Sequence, residues 1–222
     1  YDLASKDEKD TQFVTMLLPF LIIVLLFSSC LSIASESIAG EKERGTIATL
    51  LITPVKRSSI ALGKIFAISV TAFVGAIANF IGLVAALPKL VAGANLSMSM
   101  YNVGSYVGLL FIIVSTVLIF IAILSIISTF AKSVKEASSY SIPVMLLVML
   151  IAATSLIGKS NSQTITYFIP IYNSVQAMGA ILSLNFNPIN FAITIITNLA
   201  IFALGIVILS KMFNSEKIMF NA

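Results

Sequence analysis

The 222 residues are 59% apolar and only 10% charged, with a mean hydropathy of +1.07; soluble domains carry charge on about a quarter of their residues, so this is an integral membrane protein. The net charge of +4 and pI near 9.2 come from Lys and Arg in short loops beside apolar segments, which orient a chain in a bilayer rather than bind nucleic acid. There is no His and a single Cys, Cys30, inside an apolar run, which excludes disulfides within the chain, thiolate metal sites, His-based zinc sites and Ser-His-Asp triads.

Residues 1–12 (YDLASKDEKDTQ) mix both charge signs without an apolar face and read as a solvated external segment. Phe13 to Ser35 is free of charge for 23 residues, about 34 Å of helix against a hydrocarbon core of roughly 30 Å. This is the first span, with Pro19 positioned to kink it and Ser28, Ser29 and Ser32 available for helix contacts. A charged stretch follows. Ile65 to Leu87 is the second span, closed by Pro88 and Lys89, with Gly75, Asn79 and Gly82 near one face to admit a neighbouring helix. Val91 to Tyr106 is only weakly apolar and reads as a loop or short interfacial helix.

Val107 to Phe130 is the third span, carrying Ser115, Thr116, Ser125 and Ser128. A short polar turn, AKSVKEASS, separates it from the fourth span, Tyr140 to Ile157, whose Pro143 lies near the helix start, where proline is tolerated. Residues 158–164 are polar. The stretch 165–186, centred on YFIPIYNSVQAMGAILSL, is apolar but interrupted by Pro170 and carries Asn173 and Gln176. It reads as a short re-entrant or interfacial helix, too short and broken to cross with ease. Phe191 to Leu209 is the fifth span, before a short basic tail. The fold class is therefore all-α: one polytopic helix bundle over residues 1–222.

Orientation follows from the positive residues. With the charged stretch in the cytoplasm, nine Lys and Arg lie inside against four outside (Lys6, Lys9, Lys89, Lys159), as the positive-inside rule requires. The N-terminal end is then external and the C-terminus cytoplasmic. The chain begins at Tyr1 with no signal-peptide pattern and reads as a fragment. One further helix upstream, six in all, satisfies the alternation.

The charged stretch, residues 35–64 (SESIAGEKERGTIATLLITPVKRSSIALGK), holds eight charges between two apolar segments. Glu36 to Leu51 fits an amphipathic helix, with Ile47, Leu50 and Leu51 at i, i+3 and i+4. Thr53-Pro54 ends it, because a residue before proline disfavours helical geometry. Ser58 or Ser59 is suited to cap the next helix.

GEKERGTIATLLITPVKRSSIALGK resembles the signature of the type-2 permeases of ATP-binding cassette exporters, E-x-E-x-G-T followed by L-L-x-T-P-v-x-R and G-K. The likeness rests on Glu41, Glu43, Gly45, Thr46, Leu50, Leu51, Thr53, Pro54, Arg57, Gly63 and Lys64, and FIPIYN before the last span extends it along the chain. The resemblance implies a cytoplasmic coupling helix, within residues 36–62, docked in a groove of a separate ATP-binding subunit. Ile47, Leu50 and Leu51 suit anchoring, Glu41, Glu43 and Arg44 suit the rim, Gly45 suits close approach, and Thr53-Pro54 suits fixing the angle to the next helix, with Thr46 and Arg57 as further partner contacts. It further implies a plasma-membrane permease working as a pair with a second permease subunit. Within the family the stretch is most similar to sodium-extrusion permease subunits, whose relatives carry a large extracellular insert after the first helix.

The chain itself carries no Walker A pattern, since Gly63-Lys64 is followed by Ile65, so ATP and Mg²⁺ belong to the partner and this subunit is not itself an ATPase. No Asp, Glu, Lys or Arg lies inside a span. A sodium path then rests on neutral oxygens, with Ser28, Ser115, Thr116, Asn79 and Asn198 as candidates. The same absence argues against an intramembrane protease or lipid-modifying enzyme. A drug, peptide or lipid as cargo, or a membrane scaffold for a cytosolic partner, are the alternatives.

Overall fold

The computed structural model describes residues 3–51, 54–91, 102–157 and 163–215, with side chains of the first helix from Met16 onward. Among the described residues eight α-helices are formed: α1 (Leu3–Ala34), α2 (Glu41–Glu43), α3 (Thr46–Leu51), α4 (Arg57–Val91), α5 (Val103–Phe130), α6 (Val134–Ala153), α7 (Tyr172–Leu182) and α8 (Pro188–Asn214). A π-helical stretch, Ser35–Gly40, joins α1 to α2, and 3₁₀ turns follow α6 and precede α7. Among the described residues, five helices are long and apolar enough to cross a membrane.

The bundle is built around α5. At 28 residues it is about 42 Å long, and it packs against α1, α4, α6, α7 and α8. Its apolar residues run right round the helix, so Ile112, Ile113, Ile119, Phe120, Ile121 and Leu124 are all fully buried, as expected of a helix with no polar face to expose. The Phe120 ring meets Phe27 of α1 edge-on, 5.3 Å between centroids. The outer helices leave large apolar side chains exposed: Phe66 and Val74 on α4, Leu147 and Leu150 on α6, Ile196 and Leu204 on α8. Hydrocarbon, not water, is the solvent such a surface suits.

Helices α5 and α8 approach closely at Gly205. A Cβ on Gly205 would fall 2.5 Å from the Cβ of Ala122, a separation that forces the backbones apart. Gly205→Ala should therefore lower stability by about 1–3 kcal/mol, the usual range for overpacking, read as reduced resistance to heat or to SDS in mixed micelles.

Helix boundaries depart from the sequence expectations in identifiable ways. The helix carrying the first span begins at Leu3 and includes Pro19 without a break. The second begins at Arg57, where the Lys56 carbonyl accepts from the N–H groups of Ser59 and Ile60, so neither Ser58 nor Ser59 is its cap; it also continues through Pro88 to Val91. The fourth begins at Val134, and Pro143 lies inside it. The reason is a cap: the Ser133 hydroxyl accepts from the Glu136 N–H at 3.2 Å, and the Glu136 carboxylate accepts from the Lys132 N–H at 2.7 Å, a variant of the reciprocal S-x-x-E arrangement. Most of the expected loop at 91–106, the polar stretch 158–162 and the tail beyond Ser215 lie outside the described residues.

The 165–186 region forms the short helix α7, 11 residues or about 16 Å, half of what a span needs. Asn173, Ser174 and Gln176 are buried along with its apolar residues. It is bracketed by two left-handed residues, Ile171 (φ 68°) and Leu184 (φ 59°). At its C-terminus Asn185 N–H bonds the Ala180 carbonyl and Leu184 N–H bonds that of Ile181, the paired closure that normally uses glycine at the left-handed position. Leu184 is exposed, so Leu184→Gly should relieve backbone strain at little packing loss and raise stability by about 1 kcal/mol, seen as a Tm higher by a few degrees.

Candidate functional site

The polar segment between α1 and α4 is folded, not a solvated connector. The single helix expected over Glu36 to Leu51 does not form; it breaks at Arg44–Gly45. Gly45 takes φ +74°, which L side chains rarely adopt. Space around Gly45 is open, so backbone conformation is what calls for glycine there. The Thr46 hydroxyl donates to the Glu41 carbonyl at 3.0 Å, closing the turn before α3.

The break sends the apolar residues in two directions. Ile47 is only 3% exposed and joins the bundle's own core, where it anchors α3 from behind. Leu50 is 43% exposed, and Thr46, Thr49, Pro54 and Val55 of the same segment are exposed as well. Leu51 has a described backbone but no described side chain, and Thr53 lies outside the described residues. Arg57 is half-buried at the first turn of α4.

The charged residues are engaged within the chain. Glu41 pairs with Lys64 of α4 in a partly buried contact. The Lys42 ammonium donates to the Thr129 carbonyl of α5 at 2.9 Å. The Glu43 carboxylate accepts from the Val134 N–H of α6 at 2.9 Å. Arg44 binds Glu36 at 2.7 Å on the surface, and that carboxylate raises the guanidinium's pKa further, keeping it charged. Glu41 and Glu43 face inward to α4 and α6, while Arg44, Thr46 and Leu50 face outward.

A second polar cluster lies inside the bundle. Asn198 of α8, fully buried, accepts from the Asn173 amide at 2.8 Å and donates to the hydroxyls of Ser115 on α5 and Ser174 on α7, each at 3.0 Å. Asn173 Oδ1 in turn accepts from the Ser174 N–H at 2.7 Å. Of the neutral oxygens singled out in the sequence, Ser115 and Asn198 converge here. Ser28 and Thr116 instead bond carbonyls of their own helices, and Asn79 reaches Ser29 across the α1–α4 contact at 3.4 Å. Ser174 was missed; its one signal is adjacency to Asn173 in a mostly apolar helix. Among the described residues no His, Cys, Asp and Glu group is arranged to hold a metal.

Among the described residues, five helices long and apolar enough to cross a membrane, packed about α5 with a buried polar network between α5, α7 and α8, define a multi-pass membrane protein. The chain matches the family described as ABC-2 family transporter protein over residues 2–212, and it belongs to that family. It is 28% identical over 181 residues to the ABC transporter permease protein NatB of Bacillus subtilis (strain 168), an alignment covering 78% of this chain and 46% of that protein. The chain thus spans about half the length of this curated relative. No solved structure matches it.

Proposed function

We propose that this chain is the membrane-spanning core of an exporter permease, driven by ATP hydrolysed on a separate ATP-binding cassette subunit that docks on the segment 44–55. The observation that carries the reading is the outward face of α3. Leu50 is an exposed apolar side chain on a short helix braced from behind by Ile47, in a segment where Arg44, Thr46, Pro54 and Val55 are exposed as well. An apolar anchor with a polar rim is what a groove on a partner protein receives. Loss of the charged rim from Glu41 and Glu43, which the segment uses internally, leaves Arg44 as the charge that orients docking.

Positive-inside counting supports a cytoplasmic position for this segment, an external N-terminal end and a cytoplasmic C-terminus. A second permease subunit, identical or related, completes a plasma-membrane complex in which Mg²⁺ and ATP reside on the partner. Sodium is the proposed cargo, on the strength of the likeness to sodium-extrusion permeases and of uncharged oxygens inside the bundle. ATP-driven uptake of ²²Na⁺ into inside-out vesicles holding the full-length permease and its ATPase tests this. Uptake that requires both subunits supports sodium export. ATP-dependent movement of an organic cation, peptide or lipid without sodium would replace the cargo, and partner binding with no flux of any kind would indicate a scaffold.

A further inference from the structure

Adjacent residues Lys42 and Glu43 reach the two ends of the turn joining α5 to α6. The Lys42 ammonium meets the carbonyl of Thr129, one residue before the end of α5, and Glu43 meets the N–H of Val134, the first residue of α6. Both backbone groups belong to the sets that a helix terminus leaves without an intrahelical partner. The signs also fit the helix dipoles, with a cation at a C-terminus and an anion at an N-terminus. Ala39 of the π-helical stretch, Ala131 of the turn and Ala137 of α6 also form a fully buried cluster, so the two polypeptide segments are in direct contact.

We propose that Lys42 and Glu43 clamp the α5–α6 turn to the partner-docking segment, so that a displacement of α3 is delivered directly to α5 and α6 as well as along the chain to α1 and α4. Glu43 is thereby a positioning residue and not a contact to the ATPase. The inference rests on the docking role proposed for α3.

Three variants separate the alternatives, because the partner of Glu43 is a backbone N–H. Glu43→Ala removes the acceptor. Glu43→Gln removes the charge but keeps an amide oxygen able to accept. Val134→Pro removes the donor at the first position of a helix, where proline is tolerated, after a Ser133 already extended at φ −141° and ψ 162°, as a residue before proline prefers. Each is placed in the full-length permease with its ATP-binding subunit in nanodiscs. Readouts are affinity for the subunit, permease-stimulated ATP hydrolysis, and the ATP-dependent change in distance between spin labels at Thr49 and Lys135.

Expected are subunit affinities within about twofold of wild type for all three. In wild type the Thr49–Lys135 distance should stay fixed when ATP is added; Glu43→Ala and Val134→Pro should let it change and should lose about tenfold of the stimulated hydrolysis, as removal of a hydrogen bond to a charged group implies, while Glu43→Gln keeps the fixed distance and most of the hydrolysis. The double variant Glu43→Ala, Val134→Pro should be no worse than either single one. Glu43→Gln as impaired as Glu43→Ala, with weakened subunit binding and a wild-type Val134→Pro, would overturn the clamp and return Glu43 to the docking rim. If Val134→Pro does not fold, the Ala and Gln variants decide alone. A wild-type permease that neither binds nor stimulates the subunit would overturn the docking role itself, and the clamp's function with it.

Discussion

Leu50→Asp is expected to weaken binding of the ATP-binding subunit by about 10- to 100-fold while leaving the permease folded. Leu50 lies on the outward face of α3, 43% exposed, so replacing it opens no cavity in the bundle. Seating a leucine in a partner groove contributes about 1.5–3 kcal/mol, and a carboxylate in the same groove adds a desolvation cost. Subunit titration by surface plasmon resonance, with thermal unfolding of the permease alone as control, reads the effect. Ile47→Asp provides the contrast: it places a charge in the bundle's own core and should unfold the segment or the whole protein. Unchanged affinity in Leu50→Asp would remove α3 from the docking surface.

Asn198→Ala is expected to lower stability by about 2–4 kcal/mol, a large effect for a side chain of modest size. The amide joins three helices, accepting from Asn173 and donating to Ser115 and Ser174. Inside a membrane protein one interhelical hydrogen bond contributes about 0.6 kcal/mol on average. Truncation also leaves the Asn173 amide and Ser174 hydroxyl buried without those partners, at about 1–3 kcal/mol for an unsatisfied group. Because the groups share one network, Asn173→Ala combined with Asn198→Ala should cost less than the sum of the singles by about 1 kcal/mol. Unfolding in mixed SDS micelles measures all three, and strict additivity would show that the two asparagines act separately.

Much of the bundle was legible because length and apolarity suffice to mark a span. Each of the five long helices covers most of one charge-free run and extends beyond it, and the motif 41–64 located the polar segment. Boundaries were less legible where local hydrogen bonding overrules composition. Ser133-Val-Lys-Glu136 is a capping pattern visible in the sequence, yet the apolar run beginning at Tyr140 drew the expected start of α6 six residues too late, and with it the place of Pro143. Ser58 and Ser59 were attractive caps by residue type, but the turn after Pro54 starts the helix at Arg57. The break at Gly45 was legible only as a glycine, since nothing in a 3.6-residue pattern reports the sign of φ.

What the sequence by itself determined is the class of molecule: spans long enough for a bilayer, no charge within them, no histidine or Walker A pattern in these 222 residues, and one polar segment carrying a family motif. Those properties are sums over composition and run length, so they do not depend on which helix meets which. Only the tertiary structure decided the rest. It made α5 the buried centre, turned Ile47 inward and Leu50 outward, brought Asn173, Ser174, Ser115 and Asn198 into one network, and set Lys42 and Glu43 on the α5–α6 turn, 87 and 91 residues away along the chain. Such pairings arise because each orphaned polar group in an apolar interior must find a partner wherever the packing delivers one, and neither periodicity nor spacing records that address.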